Sequence, residues 1–164
     1  EEIELPETNA VKVGVFVNEN LAHVIDIISK AKLDLVQLHG DEDADYCTII
    51  NQIVPVVKVF RVGNRLPDFA AFENAASFYL FDTDSALYGG TGQHFNWELI
   101  KNTEFNKPYF LSGGIGPNDA HGIEVLQKTK AGKSLSVIDI NSQFEMTPGI
   151  KNLELIKTFI NASI

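Results

Sequence analysis
Short apolar runs alternate along this chain with stretches in which apolar residues recur every three or four positions. Residues 11–17 form the first run, ended by Asn18, Glu19 and Asn20. Such a run reads as a parallel strand covered on both faces. Leu21, Val24, Ile25, Ile28 and Ala31 then fall at helical spacing, with Asn18 or Asn20 placed to cap the helix. The pattern repeats. Residues 33–39 predict a second strand, Gly40 turns the chain, and Asp41, Glu42 and Asp43 suit a helix amino terminus. Ala44, Cys47, Ile50 and Ile53 supply that helix's apolar side. Residues 55–60 predict a third strand, with a helix around 67–74, and residues 77–82 a fourth. A glycine-rich loop at 88–92 leads to a short helix near 96–101, and residues 108–112 predict a fifth strand closed by Gly113 and Gly114. Pro117 suits the first position of the next helix. Residues 134–140 predict a sixth strand, and Leu153, Ile156, Phe159 and Ile160 line a final helix.

Strict β-then-α alternation predicts an α/β fold with a parallel sheet and right-handed crossovers. No Asn-Gly hairpin signal, interdomain linker or low-complexity tract interrupts it. An open Rossmann-like sheet and a TIM (β/α)8 barrel both fit this alternation. Polar residues close six successive strands: Asn18, His39, Arg61, Asp82, Ser112 and Asn141. An open sheet concentrates its site at one switch point, whereas a barrel gathers every strand end into one ring. That spread favours the barrel. The chain shows about six βα units where a barrel has eight, and its opening, 1–6, reads like the end of a preceding helix. The expectation is one barrel domain over 1–164, with the first two N-terminal units missing.

Composition narrows the partners. The 164 residues carry a net charge of −9 and one Cys, and 45% of them are hydrophobic, an ordinary globular balance. No charged-then-apolar leader opens the chain and no apolar run is long enough for a membrane span, so a cytoplasmic protein without a membrane partner is expected. One Cys makes neither an internal disulfide nor a CxxC zinc site. Without a Lys/Arg cluster, nucleic acid is not an expected partner. An anionic metabolite would have to be held locally, by backbone N–H groups.

Two glycines directly after a strand, Gly113 and Gly114, leave N–H groups unshielded, which suits a phosphate. Phosphate sites in barrels commonly use the loops after the last two strands, here Gly113-Gly114 and Asn141-Ser142. The plainer alternative is a tight strand-to-helix turn. Asp82 ends an apolar run at the mouth, where partial desolvation would favour a protonated general acid; on spacing alone an Asx-turn outweighs that role. Asp139, inside the sixth strand, must be paired, either by a ligand hydroxyl or amine or by a structural donor. His39 could donate to a ligand, or cap its loop. His94 and His121 lack metal-ligand spacing, His23 reads as solvated, and Cys47 reads as core. Lys58 and Arg61 could help an anion, although the face Lys58 lines is undecided.

Six motifs occur in order: Val-Gly-Val-Phe-Val-Asn (13–18), Val-Gln-Leu-His-Gly (36–40), Leu-Phe-Asp-Thr (80–83), Gly-Gly-Thr-Gly (89–92) with Phe-Asn-Trp (95–97), Leu-Ser-Gly-Gly (111–114) with Pro117, and Asp-Ile-Asn-Ser (139–142) with Glu145, Pro148 and Gly149. Together they resemble the phosphoribosylanthranilate isomerases of tryptophan biosynthesis over nearly the whole chain. The resemblance implies a (β/α)8 barrel and a cofactor-free, metal-free Amadori rearrangement of a small phosphorylated substrate, N-(5-phosphoribosyl)anthranilate. It implies Asp82 as general acid, Gly113, Gly114 and Ser142 as the phosphate grip, and loop 89–92 as a lid. Asn141, Asp139 and His39 join them as candidate substrate contacts. The family's base, a Cys in a Lys-x-Cys-Gly motif on the first strand, and an Arg after the second strand do not occur here, and Gln143 stands where many members have Gly. The chain alone is therefore expected to be inactive. Two other readings compete: a different phosphate-binding barrel enzyme, or an inert phosphate-binding fragment that associates through unpaired strand edges.

Overall fold
A computed structural model describes residues 9–84 and 94–163; the glycine-rich loop 88–92 and the opening 1–6 lie outside the described residues. The chain divides into two compact units, Glu1–Phe60 with Asp68–Leu80, and Arg61–Pro67 with Phe81–Ile164.

The first unit begins with β1 (Val13–Phe16), α1 (Leu21–Ala31), β2 (Leu35–Leu38) and α2 (Ala44–Asn51). It continues through most of β3 (Val56–Val62) and the start of β4 (Phe78–Thr83). β1 pairs with β2 in parallel, Val13 opposite Leu35, and β2 with β3, Val36 opposite Val56. Of the two candidate caps on α1, Asn20 is the one used: its Oδ1 accepts from Ala22 N at 2.9 Å. Asp43 caps α2 by accepting from Tyr46 N at 2.8 Å. Val24, Ile28, Val36, Leu38, Cys47, Ile50 and Val56 close into one core, as the helical and strand spacing predicts. β1 departs from expectation. Its run reads as covered on both faces, yet Val13 is 41% and Val15 57% exposed, while Phe16 packs on the core. The helix expected at 67–74 is a single 3-10 turn, Ala70–Phe72. Its role is to hold rings: Phe69 and Phe72 meet Phe60 edge-on at 6.0 and 5.4 Å, and one turn suffices for that.

The second unit holds the ends of β3 and β4, then β5 (Tyr109–Leu111), α3 (Ala120–Gln127), β6 (Leu135–Ile138), the strands β7 (Glu145–Thr147) and β8 (Ile150–Lys151), and α4 (Leu153–Ser163). β5 and β6 are parallel, Leu111 opposite Ile138, with a register shift between Tyr109 and Phe110. Phe81, Phe105 and Tyr109 pack ring on ring at 4.9 to 5.4 Å under this part of the sheet. The helix expected near 96–101 is again a 3-10 turn, Trp97–Leu99. β7 and β8 form an antiparallel hairpin that no Asn-Gly signal announces. Pro148 and Gly149 make its turn, with Gly149 at φ +83°, the combination that favours a type II turn.

The six parallel strands follow chain order, β1-β2-β3-β4-β5-β6.

Candidate active site
The chemistry in the second unit gathers where β4, β5 and β6 end. Asp82 is the penultimate residue of β4 and is partly buried; its Oδ1 accepts from Thr83 N at 2.7 Å. Thr83 acts as a latch. Its hydroxyl donates to the Gly113 carbonyl at 3.1 Å and accepts from Phe95 N at 2.9 Å. Ser112 N donates to the Phe81 carbonyl at 2.9 Å, so β5 is pinned to β4 just before the glycines.

Gly113 and Gly114 both lie in the left-handed region, at φ +87° and +72°. A Cβ on Gly113 would stand 2.6 Å from Asp82 Oδ1 and closer still to Thr83 N and Oγ1. Only glycine fits there, and its backbone lies directly against the Asp82 carboxylate. Asp139, one residue past β6, has its structural donor: Ser112 Oγ donates to its Oδ2 at 2.9 Å. Its own N–H donates to the Leu111 carbonyl at 2.8 Å, extending the β5–β6 ladder.

The loop after β6 runs through Asn141 into the 3-10 turn Ser142–Phe144. Asn141 accepts from Lys151 Nζ, which also reaches Glu145 Oε1 at 2.7 Å, so the hairpin braces the loop. This Lys151 contact holds the Glu145 carboxyl below the usual carboxylate range. Phe144 is fully buried and meets Phe159 of α4 at 5.0 Å, anchoring the far side of the turn. The two loops approach one another: a Cβ on Gly116 would lie 3.8 Å from Gln143. Between them opens a pocket of about 390 Å³ lined by His94, Gly114, Gly116, Pro117, Asn118, Asp119 and Gln143. Gly113, Gly114, Asp82, Asp139, Asn141 and Ser142 are thus held on neighbouring loops of one unit. Thr83, His94, Asp119 and Gln143 join them without any motif having marked them as ligand contacts.

His39 lies in the first unit, at the end of β2. Gln37 Nε2 sits 3.1 Å from its Nδ1, and His39 N donates to the Phe16 carbonyl at 2.8 Å. Beside it is a buried ion pair. Glu42 accepts from Lys58 Nζ at 2.9 Å, Asn18 N at 2.7 Å and Gly40 N at 3.0 Å, while Lys58 also donates to the Gly40 carbonyl at 2.8 Å. This settles where Lys58 points: its charge is spent on Glu42, not on a ligand. Asn18 is left-handed at φ +51° and its Oδ1 accepts from Asp41 N at 2.6 Å, so the loops after β1 and β2 and the Lys58 side chain of β3 are tied by one network. Among the described residues no group of three or more His, Cys, Asp or Glu could hold a metal.

A family model described as N-(5'phosphoribosyl)anthranilate (PRA) isomerase matches residues 2–162. The chain belongs to the phosphoribosylanthranilate isomerase family. The N-(5'-phosphoribosyl)anthranilate isomerase of Parabacteroides distasonis is 35% identical over 153 residues, and the match covers 91% of this chain and 67% of that protein. The enzyme of the same name from Thermotoga neapolitana is 36% identical, with 91% of this chain and 70% of that protein covered. Among solved structures, the isomerase from Thermotoga maritima superposes with a TM-score of 0.74 at 33% identity, covering 97% of this chain and 75% of that one. A phosphoribosyl anthranilate isomerase crystallised with reduced 1-(o-carboxyphenylamino)-1-deoxyribulose 5-phosphate superposes at 0.65 with 30% identity, covering 98% and 74%. The family's fold is the TIM (β/α)8 barrel, and this chain supplies six successive parallel strands of that α/β architecture.

Proposed function
We propose that this protein converts N-(5-phosphoribosyl)anthranilate to 1-(2-carboxyphenylamino)-1-deoxyribulose 5-phosphate. The reaction is an internal oxidoreduction of aldose to ketose and calls on no cofactor. Asp82 is the general acid: it protonates the furanose ring oxygen, the bond from that oxygen to C1 breaks, and a Schiff base forms. A base then takes the C2 proton, and the resulting enolamine tautomerises to the ketone. Gly113, Gly114 and Ser142 hold the phosphate, with Asn141 bracing their loop. Asp139, oriented by Ser112, accepts from a substrate hydroxyl. His39 is a further candidate substrate contact. The protein is assigned to the cytoplasm, where a lone thiol such as Cys47 stays reduced.

One observation supports this reading: the Asp82 carboxylate lies against the backbone of Gly113, close enough for the two to serve one substrate as acid and phosphate grip. The base is a separate matter. The Lys-x-Cys-Gly segment that the resemblance assigns to it is not among these 164 residues. Cys47 does not replace it. It is fully buried in α2, and burial pushes its thiol up to about 11, far from a reactive thiolate at neutral pH.

The 164-residue chain alone is therefore expected to consume no substrate in a fluorescence assay of the anthranilate adduct. The chain joined to the amino-terminal segment of the Thermotoga neapolitana isomerase should turn over. Asp82→Asn in that hybrid should lower kcat by about 10²–10⁴-fold, the range for loss of a general acid. Failure of a folded hybrid to isomerise the substrate would refute the assignment.

A second reading is favoured by β1, whose Val13 and Val15 are exposed on a strand at the end of the sheet order. A strand in that position invites pairing with another chain. A concentration-independent monomer in sedimentation velocity would dispose of it.

A further inference from the structure
The pocket beside Gly114 contains a charge problem that the family motifs do not address. A phosphate monoester brings nearly two negative charges, and Asp119 places a carboxylate in the same wall. Among the described residues that line the pocket, His94 is the one side chain able to carry a positive charge.

Both ring nitrogens of His94 face oxygen atoms. Nδ1 lies 3.0 Å from the Phe95 carbonyl oxygen, and Nε2 lies 3.3 Å from Asp119 Oδ1. Both partners are acceptors. A neutral ring donates from one nitrogen and presents a lone pair from the other, so it would leave one of these contacts lone pair against lone pair. A proton on each nitrogen would face an oxygen in both contacts. Trp97 stacks on the ring at 4.2 Å with 20° between planes, a face that attracts a cation. The other oxygen of Asp119, Oδ2, accepts from Gly116 N at 2.7 Å and fixes the turn after the glycines. Asp119 is thus needed where it stands, and its charge needs cancelling.

We propose that His94 is a positioning residue of the phosphate pocket: as an imidazolium braced by Asp119, the Phe95 carbonyl and Trp97, it neutralises the Asp119 carboxylate so that a sugar phosphate can enter. The inference rests on the phosphate reading above and adds a residue to it. His94 touches no reacting atom; it acts through Asp119 and the field in the pocket.

The test is a double-mutant cycle on the 164-residue chain, read as the Kd for ribose 5-phosphate by titration calorimetry at low ionic strength. His94→Gln keeps a polar side chain and removes the charge, leaving Asp119 to oppose the phosphate. Binding should weaken about tenfold, the order expected of one uncancelled charge a few ångströms from the ligand at a partly exposed site. Asp119→Asn keeps an acceptor for Gly116 N and should bind as well as wild type or better. The double variant should return to within about twofold of wild type, a rescue that a merely structural role would not give. Equal affinity of wild type and His94→Gln would overturn the inference and leave the phosphate reading standing. So would additive losses in the double variant. No binding of ribose 5-phosphate by folded wild type would overturn the phosphate reading and this inference together.

Discussion

Replacing Gly113 by alanine tests the joint between acid and phosphate grip, and Gly149 provides an internal control. Both glycines have left-handed backbone, at φ +87° and +83°. An alanine at either pays a conformational cost of about 1–2 kcal/mol. They differ in what the new methyl meets. At Gly149 there is nothing within 4 Å. At Gly113 the methyl would meet Thr83 N, Thr83 Oγ1 and Asp82 Oδ1, two of them on side chains and one on backbone that cannot swing away. Relief requires the loop to move, which breaks the Thr83–Gly113 hydrogen bond, a loss of about 0.5–1.5 kcal/mol, and overpacks the site by about 1–3 kcal/mol. Gly113→Ala should therefore cost about 2–4 kcal/mol more than Gly149→Ala in equilibrium urea unfolding. It should also abolish ribose 5-phosphate binding while Gly149→Ala preserves it. Equal stability losses for the two variants would show that Asp82, Thr83 and Gly113 are not packed as described.

Four further outcomes follow from the packing around Glu42, Cys47 and Asp139. Lys58→Met leaves the Glu42 carboxylate buried without its cation and should cost about 3–5 kcal/mol of stability, measured by urea unfolding; a loss below about 1 kcal/mol would place the pair in solvent. Burial pushes the Glu42 carboxyl up, but hydrogen bonds from Lys58, Asn18 N and its own N–H outweigh this and leave it below the usual range. The stability it contributes is thus complete above the unfolded value of about 4.3 and is lost as pH falls through the folded one; Lys58→Met should flatten that acid limb, and an unchanged limb would contradict the assignment. Cys47 should stay unreactive toward a disulfide reagent in native buffer at pH 8 and react fully in denaturant; stoichiometric labelling of the native chain would contradict its burial. Ser112→Ala removes the donor to Asp139 Oδ2 and should cost about 1–3 kcal/mol, whereas a neutral change would mean that Asp139 is satisfied by other donors.

What the sequence makes legible here is local. The i, i+3, i+4 spacing from Leu21 to Ala31 needs no partner to be read, and α1 spans those residues. The six short runs read as six parallel strands because each is apolar and followed by turn residues. Two errors share one cause: at 67–74 and 96–101 the apolar spacing is compatible with a helix, but a few anchored rings, Phe69, Phe72 and Trp97, hold the chain after a single 3-10 turn. The exposure of Val13 and Val15 was hidden because composition reports what a strand could bury, not what stands opposite it. The arrangement was legible where residue type marks a strand end: Asp82 and Gly113 lie side by side at the ends of β4 and β5. It was illegible where it depends on long-range pairing. Glu42 and Lys58 are ordinary surface-type residues until the fold buries them together. His94 and Asp119 carry no motif, and only the loop geometry brings the ring nitrogen to the carboxylate. The hairpin at 145–151 did leave a signal, Pro148-Gly149, which a search restricted to Asn-Gly turns passes over.

Amide chemical-shift mapping of the 164-residue chain with ribose 5-phosphate tests the central claim most directly. The account predicts saturable shifts largest at the Gly113, Gly114, Ser142 and Gln143 amides, with Thr83 perturbed through its bond to the Gly113 carbonyl. Saturable shifts that bypass both glycines, or a folded chain whose spectrum does not change, would contradict it.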